Sequence, residues 1–298
     1  PGGTATTPPT AEVEWPVMSQ PLSSTGPSSI IPNPGDERVF IGPPPAGQAE
    51  VNRWIALLIV HFPAGNGLPA VWSQCTGFFI AASTVVTAGH CTYDTDTGTD
   101  ADAIVVIPGY DGANGPANCP VVPALGGAPA GNCPFGAQEA TTWGAATGYR
   151  AAGPDRFCFD YGAVETPVFN GHAGPFFSFA APAVVGTAKF VQGYPIDKPA
   201  QQWLDNDLIT HIECPFNPAA PRLVSYDIDT CPRNSGSPVY DVTAPWSVRA
   251  VHAYGASTGV GCGGQGESPC FNHPGKHGNT GDNCGPEMDA GVQDAYRD

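Results

Sequence analysis

Hydrophobic positions along the chain fall in short runs separated by clusters of turn residues. The runs are Trp54–Val60, Gly77–Ile80, Ala103–Ile107, Tyr161–Val164, Lys189–Gln192, Leu223–Tyr226 and Val248–Ala253. They are rich in β-branched and aromatic residues, and each is strand-sized. Helical periodicity is absent until the end of the chain. There Pro286 and Glu287 open a stretch to Asp298 with Pro and acidic residues in its first turn, which predicts a short C-terminal helix. Many short strands over about 250 residues predict an all-β barrel or sandwich. No fixed-period repeat accompanies them.

Two regions break the pattern. Residues 1–29 are dominated by Pro, Thr, Ser and Gly, with few aliphatic side chains. They carry too little apolar surface to order themselves and are expected to be a pro-segment or flexible tail. Residues 108–157 are the least regular part of the remainder and contain two Asn-Cys-Pro tripeptides, around Cys119 and Cys133. A loop of that length is uncommon unless tied down or functional, and a Cys119–Cys133 bridge is expected to staple it.

Composition narrows the class. The 298 residues include 38 Gly and 34 Pro, yet glycine shows no three-residue period, which excludes a collagen helix. A hydrophobic content of 41% argues against general disorder. Asp and Glu outnumber Lys and Arg 27 to 11, for a net charge of −16. That balance argues against nucleic acid and anionic membranes as partners, because both need clustered cations. No apolar run approaches the roughly 18 residues of a membrane span. Ten cysteines in such a chain point to an oxidising compartment, and hence to a secreted, extracellular protein.

Candidate chemistry lies in three segments. They are Thr87-Ala88-Gly89-His90-Cys91, Phe159-Asp160-Tyr161-Gly162-Ala163 and Asn234-Ser235-Gly236-Ser237-Pro238. In chain order they supply a histidine, an aspartate and a serine. A serine hydroxyl is a weak nucleophile until an imidazole takes its proton, and a buried carboxylate must hold that imidazole in the right tautomer. Glycine beside the serine lets the backbone turn tightly, so that N–H groups can face a developing oxyanion. Each segment alone has a plain structural explanation: a core histidine, a turn cap, a polar turn. Their order and the flanking cysteine favour catalysis.

These segments resemble the chymotrypsin-fold serine proteases, and most of all the bacterial glutamyl endopeptidases. Further stretches carry the same likeness: Cys75-Thr76-Gly77-Phe78-Phe79-Ile80, Asp160 to Glu165, Gly193-Tyr194-Pro195, Gln202-Trp203, Tyr226 to Thr230 and Ala250 to Gly255. The resemblance implies two six-stranded antiparallel β-barrels with the active site in the crevice between them. Residues 30–168 would form the first barrel, with 108–157 inserted, and residues 169–298 the second barrel and the terminal helix. It implies His90, Asp160 and Ser235 as the triad, the N–H groups of Arg233 and Ser235 as the oxyanion hole, and bridges Cys75–Cys91 and Cys231–Cys262. Pairings of Cys158 with Cys214 and of Cys270 with Cys284 are open. The likeness implies proteins or peptides as partners, no cofactor, and a monomer.

The pocket residues point two ways. His252 occupies the position at which glutamyl endopeptidases meet a substrate Glu side chain, and Thr230, Tyr254 and Gly255 are candidates to line the same pocket. Asp229, six residues before Ser235, sits where trypsins pair with Arg or Lys. Cleavage after Glu, with Asp second, is the favoured expectation, and cleavage after Arg or Lys the alternative. Arg233 departs from the family's glycine at the oxyanion hole, which motivates a third reading, an inactive homologue acting as a binding protein. Asn234 cannot form the ion pair with a freed amine by which trypsins are activated. Disulfides are favoured over zinc for Cys270, His273, His277 and Cys284. The acidic loop of Asp94, Asp96, Asp100 and Asp102 is read as a solvated turn rather than a calcium site.

Overall fold

The computed structural model describes residues 38–41, 50–112, 117–151, 153, 155–179, 182–198, 201–213, 221–226, 228, 230–242, 246–255, 283–288 and 292. The chain is mostly β, in two curled sheets. The first runs in the order Gln138–Glu139, Ala103–Pro108, Ile55–Phe62, Val71–Phe79, Thr84–Thr87, Gly162–Glu165, Thr142–Ala145. The second runs Ser178–Phe179, Ser247–Val251, Pro238–Asp241, Ala188–Gly193, Gln202–Glu213, Leu223–Tyr226, Asn283–Pro286, and Val39–Ile41 pairs on Gln202–Glu213. The all-β class therefore stands. These two sheets hold seven and eight described strands rather than six each, Tyr93–Asp94 and Thr99–Asp100 form a separate two-stranded ribbon, and one pairing, Ser178–Phe179 on Ser247–Val251, is parallel.

Seven predicted runs all contain strands, with edges shifted by a few residues. The 108–157 segment is more ordered than its composition suggests. Thr142–Ala145 within it pairs residue for residue with Gly162–Glu165, and Cys119 and Cys133 are disulfide-bonded. The expected terminal helix is corrected at its start. Asn283–Pro286 is a strand paired with Leu223–Tyr226, and Glu287 forms a bridge with Ala250. Pro286 mimics a helix-start signal, but the neighbouring strand offers its backbone a ladder of partners. Val292 is helical and buried, and its neighbours lie outside the described residues.

The core of the first sheet centres on Ile55–Phe62, where only His61 is half-exposed. Alternation is lost there because the sheet curls around one face while other chain segments cover the second. Trp54, fully buried just before this strand, meets Phe176, Phe177 and Trp246 at ring separations of 5.7–6.2 Å. Its indole N–H donates to the carbonyl of Ala173, 3.2 Å away in the segment linking the two halves. The halves also share a buried polar network. Gln192 donates to Asn52 and Gln202, Gln202 donates to the Asn52 carbonyl and to Tyr194, and Tyr194 donates to the Tyr110 carbonyl. Side-chain amides pair correctly only in one arrangement, so such a network fixes how the two halves meet.

Candidate active site

His90 lies in a single 3-10 turn, Gly89–Cys91, held by the Cys75–Cys91 disulfide. Asp160 closes a second turn, Arg156–Phe159, and is fully buried. Both of its oxygens engage the histidine. Oδ1 accepts the backbone N–H of His90 at 2.8 Å, and Oδ2 lies 2.8 Å from Nδ1. A carboxylate can only accept, so Nδ1 carries the ring proton and Nε2 presents a lone pair. Nε2 is buried and has no hydrogen-bond partner among the described residues. The hydroxyl of Ser235 therefore does not bond to it in this state. Such bonds are often long without substrate and tighten when substrate binds.

Ser235 is 6% exposed and sits in a loop pinned from three sides. Its carbonyl accepts the N–H of Thr76 at 2.8 Å, from the strand that carries Cys75. The Thr76 hydroxyl donates to the carbonyl of Arg233 at 3.0 Å. The N–H of Gly236 donates to the carbonyl of His252 at 2.7 Å, and the N–H of His252 returns to the carbonyl of Ser237 at 2.9 Å. Gly236 adopts φ +89°, and a Cβ there would stand 1.9 Å from the Thr76 carbonyl. Only glycine fits. Arg233 adopts φ +79°, the left-handed region that its side chain disfavours. Its guanidinium donates to Gln74 at 2.8 Å, which holds the strained residue in place. Among the described residues the backbone N–H groups of Arg233 and Ser235 make no hydrogen bond.

His252 is fully buried, and its Nδ1 lies 2.7 Å from the hydroxyl of Tyr226. Burial, with His90 nearby, lowers its pKa to about 3. It is therefore neutral at pH 7. Tyr254 places its ring 6.1 Å from that of His90 and 5.4 Å from Phe157. Both of its backbone groups bond to Cys284, at 2.8 and 2.9 Å. Burial, reinforced by the charge of Asp160, pushes its hydroxyl pKa far above the usual value. Thr230 and Gly255 are buried as well.

Several sequence expectations meet the described residues only in part. Cys75–Cys91 is bonded, and Cys231 and Cys284 are each disulfide-bonded. Cys262, Cys214, Cys270, His273, His277 and Asp229 lie outside the described residues. In the acidic loop, Asp94 caps its own turn by accepting from the N–H of Asp96 and the hydroxyl of Thr97, Asp100 pairs with Arg150, and Asp102 with His61. Tyr226 was part of a recognised stretch, but nothing in the sequence assigned it a role. Its partner is 26 residues away, just past the end of another strand.

The fold is that of the chymotrypsin-like serine proteases. Over 87% of this chain it matches a glutamyl endopeptidase solved in complex with MPD, with a TM-score of 0.59, 20% identity and 94% of that chain covered. It matches the protease Anisep of Arthrobacter nicotinovorans with a TM-score of 0.57 and 18% identity, over 87% of this chain and 97% of that one. In sequence the chain is a homologue of the glutamyl endopeptidase of Bacillus licheniformis, 32% identical over 213 residues, which is 67% of this chain and 56% of the relative. It is 28% identical over 191 residues to a Bacillus subtilis protein named extracellular metalloprotease, covering 62% and 52%. The chain thus spans about half the length of the curated relatives it matches. No family model matches it. Among the described residues, the group of potential metal ligands is Cys75, His90 and Cys91. It does not fit a metal, because the two sulfurs are bonded to each other.

Proposed function

We propose that this protein is a secreted serine endopeptidase that cleaves peptide bonds after Glu, and second after Asp. The observation that carries the reading is the two-point clamp of Asp160 on His90, which leaves Nε2 as a bare, buried base, while the sulfur of the adjoining Cys91 lies 3.8 Å from the Ser235 carbonyl. Nε2 accepts the proton of Ser235 as its oxygen attacks the peptide carbonyl. The imidazolium so formed is stabilised by Asp160 and then protonates the leaving amine. The N–H groups of Arg233 and Ser235 receive the oxyanion, and water repeats the cycle on the acyl-enzyme.

His252 supplies the preference. Being neutral, it meets a Glu carboxylate as a hydrogen-bond donor, and the arriving negative charge strengthens that bond. Thr230, Tyr254 and Gly255 line the same pocket. The disulfides support an oxidising, extracellular setting. Residues 1–29 act as a pro-segment or tail, 30–168 as the first half of the enzyme and 169–298 as the second. The enzyme works as a monomer on protein or peptide substrates.

The test is a peptide library varied at the residue before the cut, alongside a fluorophosphonate probe. Labelling of Ser235 with cleavage after Glu is expected. Cleavage after Arg or Lys transfers the specificity role to Asp229. No labelling establishes the inactive homologue, for which the left-handed Arg233 is the structural motive.

A further inference from the structure

The geometry points to Tyr226 as the positioning residue that holds His252 in one tautomer, with the proton on Nε2, and thereby sets the preference for a carboxylate in the pocket. This rests on the reading of His252 as the residue that meets substrate Glu. Tyr226 ends the strand Leu223–Tyr226, and His252 follows the strand Ser247–Val251. Both are fully buried, and the Tyr226 oxygen lies 2.7 Å from His252 Nδ1.

The direction of that bond follows from counting protons. Burial raises the pKa of Tyr226 well above its usual value and lowers that of His252, so both stay neutral across the working range of an extracellular enzyme. The pair then holds two protons, one on the phenol and one on the imidazole. Among the described residues His252 is the sole hydrogen-bond partner of the Tyr226 hydroxyl. If Nδ1–H donated to Tyr226, the phenol proton would be a buried donor with no acceptor, which is the costly arrangement. If Tyr226 donates to Nδ1, the phenol proton is used and the imidazole proton must sit on Nε2.

The backbone adds to this. His252 is bonded through both its carbonyl and its N–H to the loop of Ser235, so its main chain is fixed by the nucleophile and its ring by Tyr226. An imidazole anchored in this way can present only one edge to a ligand. With the proton on Nε2 that edge is a donor, which suits a carboxylate. With the proton on Nδ1 it would be an acceptor, which repels a carboxylate and suits the amide of Gln.

The test uses the whole protein with ¹⁵N-labelled histidine. Two-bond ¹H–¹⁵N correlation distinguishes the two tautomers, and the His252 signals are assigned as those lost in His252→Gln. Wild type is expected to show a bare Nδ1 and a protonated Nε2. Tyr226→Phe is expected to show a tautomer mixture, and its preference for Glu over Gln in kcat/KM should fall about tenfold. The ratio controls for general loss of activity, which a purely structural role would produce. A protonated Nδ1 in wild type overturns the inference, even if Tyr226→Phe does not fold. So does an unchanged Glu-to-Gln ratio in a folded Tyr226→Phe enzyme that prefers Glu. A wild-type enzyme with no preference for Glu overturns the underlying reading, and this inference with it.

Discussion

Replacing Gly236 by alanine tests the architecture of the nucleophile loop directly. The added Cβ would lie 1.9 Å from the Thr76 carbonyl, 2.2 Å from the Thr87 hydroxyl and 3.1 Å from the Ala88 N–H. Reaching an ordinary contact of about 3.4 Å requires a retreat of about 1.5 Å from the Thr76 oxygen. None of the three neighbours can yield easily. Thr76 is held in a central strand, and its carbonyl already accepts the Thr87 hydroxyl at 2.7 Å. The loop must therefore move, which breaks the Thr76 N–H bond to Ser235 and the Gly236 N–H bond to His252. Each buried bond contributes about 1 kcal/mol. The left-handed backbone adds roughly 1–2 kcal/mol for any residue with a Cβ.

A loss of about 3–4 kcal/mol lowers the melting temperature by roughly 6–15 °C for a protein of this size. A nucleophile displaced by about 1 Å loses on the order of 10²-fold in reactivity. Scanning calorimetry and the rate of fluorophosphonate labelling report the two effects. Gly144→Ala is the control, because a Cβ there meets no atom within 4 Å. A Gly236→Ala protein that melts and labels like wild type would refute the described loop.

Ser235→Ala and His90→Ala are each expected to lower peptide hydrolysis by about 10⁴–10⁶-fold with little change in folding, measured by turnover and circular dichroism. Arg233→Gly should be more stable than Arg233→Ala by about 1 kcal/mol in urea, because both lose the bond to Gln74 and only alanine keeps a Cβ at positive φ; equal stability contradicts the strained geometry. Stability should fall with acid through His252. The unfolded chain protonates this residue near pH 6.5 and the folded one only near 3, so the contribution is intact above about 6.5 and is lost at up to about 1.4 kcal/mol per pH unit as pH drops toward 3. Urea unfolding at pH 7, 5.5 and 4.5 should show a shallower slope in His252→Gln, and an identical slope rules this source out.

What the sequence disclosed, and what it hid, follows from the range of the interactions. The proposed His90, Asp160 and Ser235 stand out in the sequence because each sits in a tight local turn with distinctive small and polar neighbours, and the bonding of Asp160 to His90 supports that reading. Cys119 and Cys133 were legible as a pair because they flank one loop. Gln202–Glu213 was missed. Asp and Asn are poor strand formers, and this twelve-residue strand is held instead by neighbours on both sides, Ala188–Gly193 and Leu223–Tyr226. Asn283–Pro286 was misjudged for the same reason: local signals favoured a helix start, and a distant strand outbid them. The bond between Tyr226 and His252 is invisible in the sequence because residue types do not reveal which side chains of segments far apart in the chain face one another.

The same contrast shows in how the proposed base and nucleophile are placed. Cys75 and Thr76 are adjacent, and each references one half of the proposed reaction. Cys75 is bonded covalently to Cys91, the neighbour of His90. Thr76 holds Ser235 through its N–H and Arg233 through its hydroxyl. The proposed base and nucleophile are thus both measured from one dipeptide in the middle of a sheet, by a covalent bond and by hydrogen bonds to main-chain carbonyls. Two of those three links need only a backbone or a disulfide, so they survive replacement of most surrounding side chains. The fold is shared with a glutamyl endopeptidase at 20% identity. The main chain of His252 is anchored in the same way, but its ring is oriented by a side chain, that of Tyr226. On the proposed reading, specificity is therefore the property most easily altered in this scaffold, and the position of His90 and Ser235 the least.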